Sequence, residues 1–237
     1  MQLSRVACHA LWGVVFDMGD VLHDATAWRR WLVQVLSRVG RHVEYRACFE
    51  IWDRQYLDDV HRGRREYGEA FWAFLISLGL SRAEADEVEA ASQSRRRELE
   101  TGARPFPGVR ATLQRLRECD YRLGVLSDSE SSAGELRTRL ARLGLEGMFD
   151  GVISSLDLGT TKPDPRCYQA ALEALGLTAS QAAFVGHDAE ELAGAARAGL
   201  RTIGFNCEAG VQAEVLLNRF DDLLATLEHW STCAAAI

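Results

Sequence analysis

The strongest constraint in this chain of 237 residues is an alternation. From about residue 107 onward, short runs rich in Val, Ile, Leu and Phe take turns with stretches whose apolar residues recur every three or four positions. The runs fall at residues 123–126, 152–153 with their flanks, 182–185 and 202–205, and an earlier one lies at residues 11–16. A short run that is apolar at every position reads as a strand buried on both faces, and strands separated by amphipathic helices pair in parallel through crossover connections. The helical stretches are marked by Val109, Leu113 and Leu116; by Leu136, Leu140 and Leu143; by Tyr168, Leu172 and Leu175; and by Leu192, Ala195 and Ala196. Local punctuation agrees: Asp164 followed by Pro165 suits an N-cap with proline at the first helical position, Thr178 to Gln181 has capping-box spacing, and Gly144, Gly176 and Gly199 stand where helices should stop.

Between about residues 24 and 103 this alternation gives way to helical periodicity alone. Trp28, Trp31, Leu32, Val35, Leu36 and Val39 fall on one apolar stripe, and Tyr67, Phe71, Phe74, Leu75 and Leu78 on a second. Ser81 and Glu84 have the spacing of a capping box for a third, charged helix running through Arg97. The expected fold class is α/β: a Rossmann-like parallel-sheet core from residues 1–23 and 104–230, an all-helical insert over residues 24–103, and a C-terminal tail at 231–237. The tryptophans of the insert are read as its core rather than as a platform for stacking bases.

With 34 acidic against 27 basic residues and a net charge of -7, the chain does not suit nucleic-acid binding by phosphate neutralisation. The short basic run at residues 61–65 reads as a solvated turn. No apolar run reaches the roughly 18 residues of a membrane span, so a soluble protein without a membrane partner is expected. Residues 3–16 read as a leader plus a buried strand rather than a signal peptide, since His9 interrupts the run and no small-residue cleavage site follows. The six cysteines are scattered without a C-x-x-C pair, which indicates neither a zinc site nor a disulfide framework. A cytoplasmic monomer or homodimer is the expectation.

Working residues of open parallel sheets gather at the carboxyl ends of the strands. After the first strand stand Asp17, Met18, Gly19 and Asp20; after the second, Ser127 and Asp128; before the fourth, Lys162, Pro163, Asp164 and Pro165; after it, Gly186, His187, Asp188, Ala189, Glu190 and Glu191. A carboxylate can attack phosphorus and form an aspartyl-phosphate, splitting one hard step into two easier ones. It then needs a cation or metal to cancel its repulsion from the phosphate, and a hydroxyl or backbone N–H to hold the phosphoryl oxygens. Lys162 and Ser127 are the right residue types. Lys162 is also the only lysine in the chain, every other basic residue being arginine, and a compact charge on a flexible stem is what such a site uses.

In this order the motifs resemble those of the haloacid-dehalogenase-like superfamily. The resemblance is carried by Phe16-Asp17, Leu126-Ser127, the Lys-Pro-Asp-Pro at 162–165 and Val185-Gly186, with the helical insert similar to the family's type-1 caps, and it covers nearly the whole chain. It implies a hydrolase, a metal-dependent phosphatase of a small phosphorylated metabolite working through an aspartyl-phosphate at Asp17. It makes Lys162 the cation beside the nucleophile, Ser127, Asp128 and Lys162 the phosphate-binding residues, and Mg²⁺ the cofactor, with Mn²⁺ as an alternative.

Two positions depart from the family pattern. The commonest phosphatases carry a second aspartate two residues beyond the nucleophile as general acid and base; Gly19 stands there, and Asp20, one residue on, is the replacement candidate. That change favours substrates with good leaving groups, such as acyl phosphates or glycosyl 1-phosphates. The implied metal set is Asp17, the backbone carbonyl of Gly19 and the first acidic residue of the fourth motif. His187 replaces that residue, Asp188 can take over by a shift in register, and Glu191 keeps the second acidic place. These departures leave open a member that binds a phosphorylated metabolite or a protein without turnover, and a 2-haloacid dehalogenase is a further alternative. The family's phosphonate-cleaving branch needs a cap lysine, which the insert lacks. Substrate choice falls to insert residues facing the site, with His23, Asp24, Arg54, Tyr56, Arg62 and Arg65 as candidates.

Overall fold

The computed structural model describes residues 11–235, with side chains to residue 230. The leader at residues 3–10 with Cys8, and Cys233 with the side chains of the tail, lie outside the described residues. The chain begins with strand β1 (Gly13–Phe16) and passes directly into helices α1 (Ala27–Arg38), α2 (Tyr45–Trp52), α3 (Asp58–His61), α4 (Tyr67–Ser77) and α5 (Arg82–Gly102). It then alternates: α6 (Val109–Glu118), β2 (Arg122–Ser127), α7 (Ala133–Arg142), β3 (Gly151–Ser154), α8 (Ser155–Leu158), α9 (Pro165–Leu175), β4 (Ala182–Gly186), α10 (Ala189–Arg197), β5 (Arg201–Phe205), β6 (Val215–Leu217) and α11 (Leu223–Ala235). Among the described residues the strands pair in parallel in one sheet of order β3-β2-β1-β4-β5-β6, the α/β Rossmann-like architecture expected from the alternation.

The pleat of β1 explains why its run is apolar throughout. Val14 and Phe16 join a core with Val125, Val185 and Ile203 under α6, α7 and α11, while Val15 faces the other way, with Leu126 and Phe184 under α9 and α10. Each such fully buried side chain contributes roughly 1.5–3 kcal/mol. Helix punctuation works as the sequence indicates: Asp164 caps α9 by accepting from Arg166 N at 2.9 Å with Pro165 at the first turn, and Gly176 ends it at φ 60°, a left-handed turn that favours glycine.

Helices α1 to α5 carry a separate core. Leu32 and Leu36 from the first stripe meet Phe71, Phe74 and Leu75 from the second, around Trp52. The rings of Phe74, Phe71 and Tyr67 lie 5.1–5.6 Å from that of Trp52. Trp28 packs beside them and donates from its indole nitrogen to Ser92 at 2.8 Å. The capping box opens α5, with Glu84 N donating to Ser81 Oγ and Ser81 N to Glu84 Oε2. Among the described residues no helix is long and apolar enough to cross a membrane.

Candidate active site

The sheet order places β1 centrally, with β2 on one side and β4 on the other, and the chain continues from β1 in both directions across the sheet. A crevice opens at the carboxyl ends where the order reverses. Phe16 is in register with Val125 and Val185, so the next residue, Asp17, emerges between the ends of β2 and β4, its N–H donating to Val185 O at 2.9 Å. The side chains that follow those strands are thereby brought around one carboxylate.

Asp17 is buried, and each of its oxygens faces a nitrogen. Lys162 Nζ donates to Oδ1 at 2.7 Å and also reaches Leu126 O at 3.3 Å and Glu191 Oε2 at 2.9 Å. His187 Nδ1 stands 3.2 Å from Oδ2. His187 Nδ1 and Glu191 Oε2 are close to these partners but not aligned as full hydrogen bonds, so the contacts act through charge and proximity. The Lys162 backbone is held from below: its N–H donates to Asp128 Oδ1 at 3.2 Å. Helix α10 approaches so closely that a Cβ on Gly194 would sit 2.6 Å from Pro163 Cβ. That glycine lets the helix press the loop bearing Lys162 against the sheet, a role that pattern reading does not reveal.

Burial in this cluster decides the charges. It disfavours ionised Asp17, but Lys162 and His187 outweigh it and hold the carboxyl well below its ordinary range. Burial likewise opposes the Lys162 charge, and Asp17 followed by Glu191 overcomes that opposition, so the ammonium is retained. Burial opposes the His187 imidazolium too, and the Asp17 contact raises its pKa despite this. One ammonium does not sustain every carboxylate: desolvation pushes Glu191 up to about 8 and Asp128 up to about 6. The centre is an ionised Asp17–Lys162 pair, with burial favouring the protonated form of Glu191 beside it. Between the ordinary glutamate value and about 8, the folded chain holds a proton that the unfolded chain has released, so stability falls as pH rises through that window. Glu191→Gln removes this titration. Urea unfolding between pH 5 and pH 8 is expected to give a shallower decline for the variant, by up to roughly 1.4 kcal/mol per pH unit; an unchanged slope would place Glu191 outside the titrating cluster.

Above this centre lies a chamber of about 460 Å³ whose walls come from the carboxyl end of the sheet, helices α1 to α5 and α7. Its floor carries Asp17, Ser127, Asp128, Lys162 and His187, and its sides carry Trp28, Arg29, Tyr67, Arg96 and Arg139. The arginines are paired. Arg29 makes two bonds to Asp53, at 2.7 and 2.8 Å. Arg96 binds Glu130, which also stands 3.5 Å from Arg139, and the Arg96 guanidinium lies over the Tyr67 ring, 3.9 Å from its centroid. Burial works against the Glu130 charge, yet Arg96 and Arg139 hold its pKa down at about 2. Glu130 follows β2 and Arg96 belongs to α5, so this network ties the helical layer to the sheet.

The sequence candidates are distributed unequally. Asp17, Ser127, Asp128, Lys162, His187 and Glu191 converge on the floor. Asp20 lines the chamber, but it adopts φ 54°, its Oδ1 accepts from Ala25 N at 2.9 Å and its carbonyl accepts from Asn206 at 3.1 Å, so it holds the loop in shape. Gly19 is packed in that same loop, where a Cβ would come within 3.1 Å of Ala25 Cβ. Asp188 Oδ1 accepts from Glu190 N and Glu191 N at 2.8 and 3.0 Å, capping α10. Of the insert candidates, His23 and Asp24 line the chamber. Arg54 pairs with Glu50, Arg62 with Asp58, Arg65 lies over Tyr56, and Tyr56 stacks on Trp52.

This arrangement agrees with what the chain is similar to. Residues 13–199 match the model of a haloacid dehalogenase-like hydrolase family. The chain is 34% identical over 199 residues to a glyceraldehyde 3-phosphate phosphatase of Methanopyrus kandleri, covering 80% of this chain and 82% of that protein. It is 36% identical over 106 residues to the phosphatase of the same name from Methanothermobacter thermautotrophicus, where the match spans 44% of this chain and 46% of the relative, about half its length. Among solved structures, a 2-haloacid dehalogenase from Pseudomonas syringae pv. Tomato DC3000 superposes with a TM-score of 0.62 at 25% identity, over 93% of this chain and 99% of the other. The chain belongs to the haloacid dehalogenase-like hydrolases.

Proposed function

We propose that this hydrolase is a phosphatase that cleaves a small phosphorylated metabolite through an aspartyl-phosphate at Asp17. The observation that carries this reading is the buried, ionised Asp17 carboxylate clamped by Lys162 at the floor of a roofed chamber, beside Ser127. One Asp17 oxygen attacks phosphorus, the bond from phosphorus to the leaving oxygen breaks, and water then attacks phosphorus to release phosphate and restore the carboxylate. Lys162 screens the repulsion between carboxylate and phosphoryl group, and the Ser127 hydroxyl is a donor for the phosphoryl oxygens. The phosphatase names of the relatives support the reading.

The Mg²⁺ or Mn²⁺ that the family resemblance implies must be weighed against these donors. Magnesium takes oxygen ligands in a near-octahedral array. The donors do not fit: His187 Nδ1 lies against Asp17 Oδ2, Asp188 Oδ1 caps α10, and Glu191 faces Lys162. Among the described residues no group of three or more His, Cys, Asp or Glu is placed to hold a metal.

With Gly19 at the position of the usual acid, the leaving oxygen departs without an aspartate to protonate it, which favours leaving groups that are weak bases. Phosphate release is expected from acyl phosphates and glycosyl 1-phosphates at rates above those of alkyl phosphates by at least about 10²-fold, the usual contribution of one general acid. Equal rates across the panel would mean that another residue supplies the proton. Binding without release from any member would favour a non-hydrolytic role. The pairing of both Asp17 oxygens with nitrogens also favours a second reading, in which Asp17 displaces halide from a 2-haloacid and water hydrolyses the resulting ester; chloride release without phosphate release would select it.

A further inference from the structure

The family's acidic fourth motif opens here with a histidine, and the structure places that histidine against the nucleophile itself. A divalent ion beside Asp17 would need the outward lone pairs of one carboxylate oxygen, a second protein oxygen at the motif position and a path free of competing cations. His187 changes all three. Its ring nitrogen lies 3.2 Å from Oδ2, the other oxygen is bonded to Lys162 at 2.7 Å, and the motif position offers an imidazole where an oxygen ligand would stand. The neighbouring carboxylates do not restore the shell. Asp188 Oδ1 is bonded to two N–H groups at the start of α10, and turning that side chain toward Asp17 would strip the helix of its cap. Glu191 Oε2 lies 2.9 Å from Lys162 Nζ.

We propose that His187 stands in for the divalent ion, so that Asp17 is held for attack by a nitrogen clamp, Lys162 on one oxygen and His187 on the other, in a site that works without metal. This rests on the reading of Asp17 as nucleophile and specifies how its charge is managed. An imidazole protonated on Nδ1 attracts Oδ2 in either charge state, which fixes the tautomer the clamp requires. His187 also lines the chamber, on the side from which a phosphoryl group would approach Asp17. There it is a positioning residue for the carboxylate.

The deciding experiment is a Mn²⁺ titration of the full chain, followed by electron paramagnetic resonance, for the wild type, Asp17→Asn and His187→Asp. The wild type is expected to show no Mn²⁺ site tighter than about 1 mM that depends on Asp17. His187→Asp, with its fold checked by circular dichroism, is expected to gain such a site, tightened at least about tenfold, or 1.4 kcal/mol. In parallel, phosphate release by the wild type is expected to be unchanged in a chelator, while that of His187→Asp becomes sensitive to it. A wild-type Mn²⁺ site that is lost in Asp17→Asn, or wild-type turnover abolished by the chelator, overturns the proposal even if His187→Asp fails to fold. Absence of all turnover would remove the phosphatase reading, and the wild-type ion titration would still decide the clamp.

Discussion

Asp17→Asn is expected to reduce phosphate release by about 10⁴-fold or more, while thermal unfolding stays close to that of the wild type. The scale follows from the removal of the proposed nucleophile, whose partners act as a unit with it. Survival of the fold follows from the cluster around it. Asp17 and Lys162 are a buried pair, and deleting one charge of such a pair usually leaves the other uncompensated. Here Glu191 lies 2.9 Å from the same ammonium and is kept protonated by burial. Without the Asp17 charge, Glu191 ionises and becomes the counterion of Lys162. The variant should accordingly lose the wild-type decline in stability between pH 5 and pH 8. Unchanged turnover would remove Asp17 from the mechanism, and severe destabilisation would show that Glu191 does not take over.

Lys162→Met is expected to be the opposite case, damaging both stability and activity. It leaves Asp17 buried with only the His187 contact and removes the positive charge beside Asp128. Removing one partner of a buried ion pair costs about 3–5 kcal/mol. The double variant Asp17→Asn/Lys162→Met should recover much of that loss, because no charge is then stranded, and urea unfolding of the four-member cycle gives the coupling directly. If the two single effects simply add, the pair is not the electrostatic centre of the site. Arginine is not an equivalent replacement, since its planar fork cannot enter the space of an ammonium that contacts Asp17, Leu126 O and Glu191 together.

The sheet and the floor of the site were legible because strands buried on both faces are apolar at every position, and because chemistry in such sheets follows the strands. Asp17, Ser127, Lys162 and Glu191 could be named from what succeeds or precedes an apolar run. Strand β6 escaped because an edge strand of three residues with Leu216 exposed leaves no such run. Helix α2 gives too short a signal: its buried Cys48, Phe49 and Trp52 share one face over eight residues only. The walls of the chamber were illegible for a different reason. Arg95 and Arg96 are adjacent and chemically alike, but Arg95 pairs with Glu98 along its own helix, whereas Arg96 turns inward to Glu130 and Tyr67. Only the packing of α5 on the sheet distinguishes them. His187 was visible as a departure, but its contact with Asp17 depends on the register of β1 with β4 and on the turn after Gly186.

The most direct test of the account is to acid-quench the enzyme during turnover of an acyl phosphate and analyse its peptides by mass spectrometry. The peptide containing Asp17 is expected to carry one phosphoryl group, labile to hydroxylamine and absent from Asp17→Asn. With the reaction run in ¹⁸O-labelled water, the label should enter the released phosphate and not the Asp17 carboxylate. A phosphoryl group on another residue, or ¹⁸O in Asp17 itself, would contradict an aspartyl-phosphate hydrolysed at phosphorus.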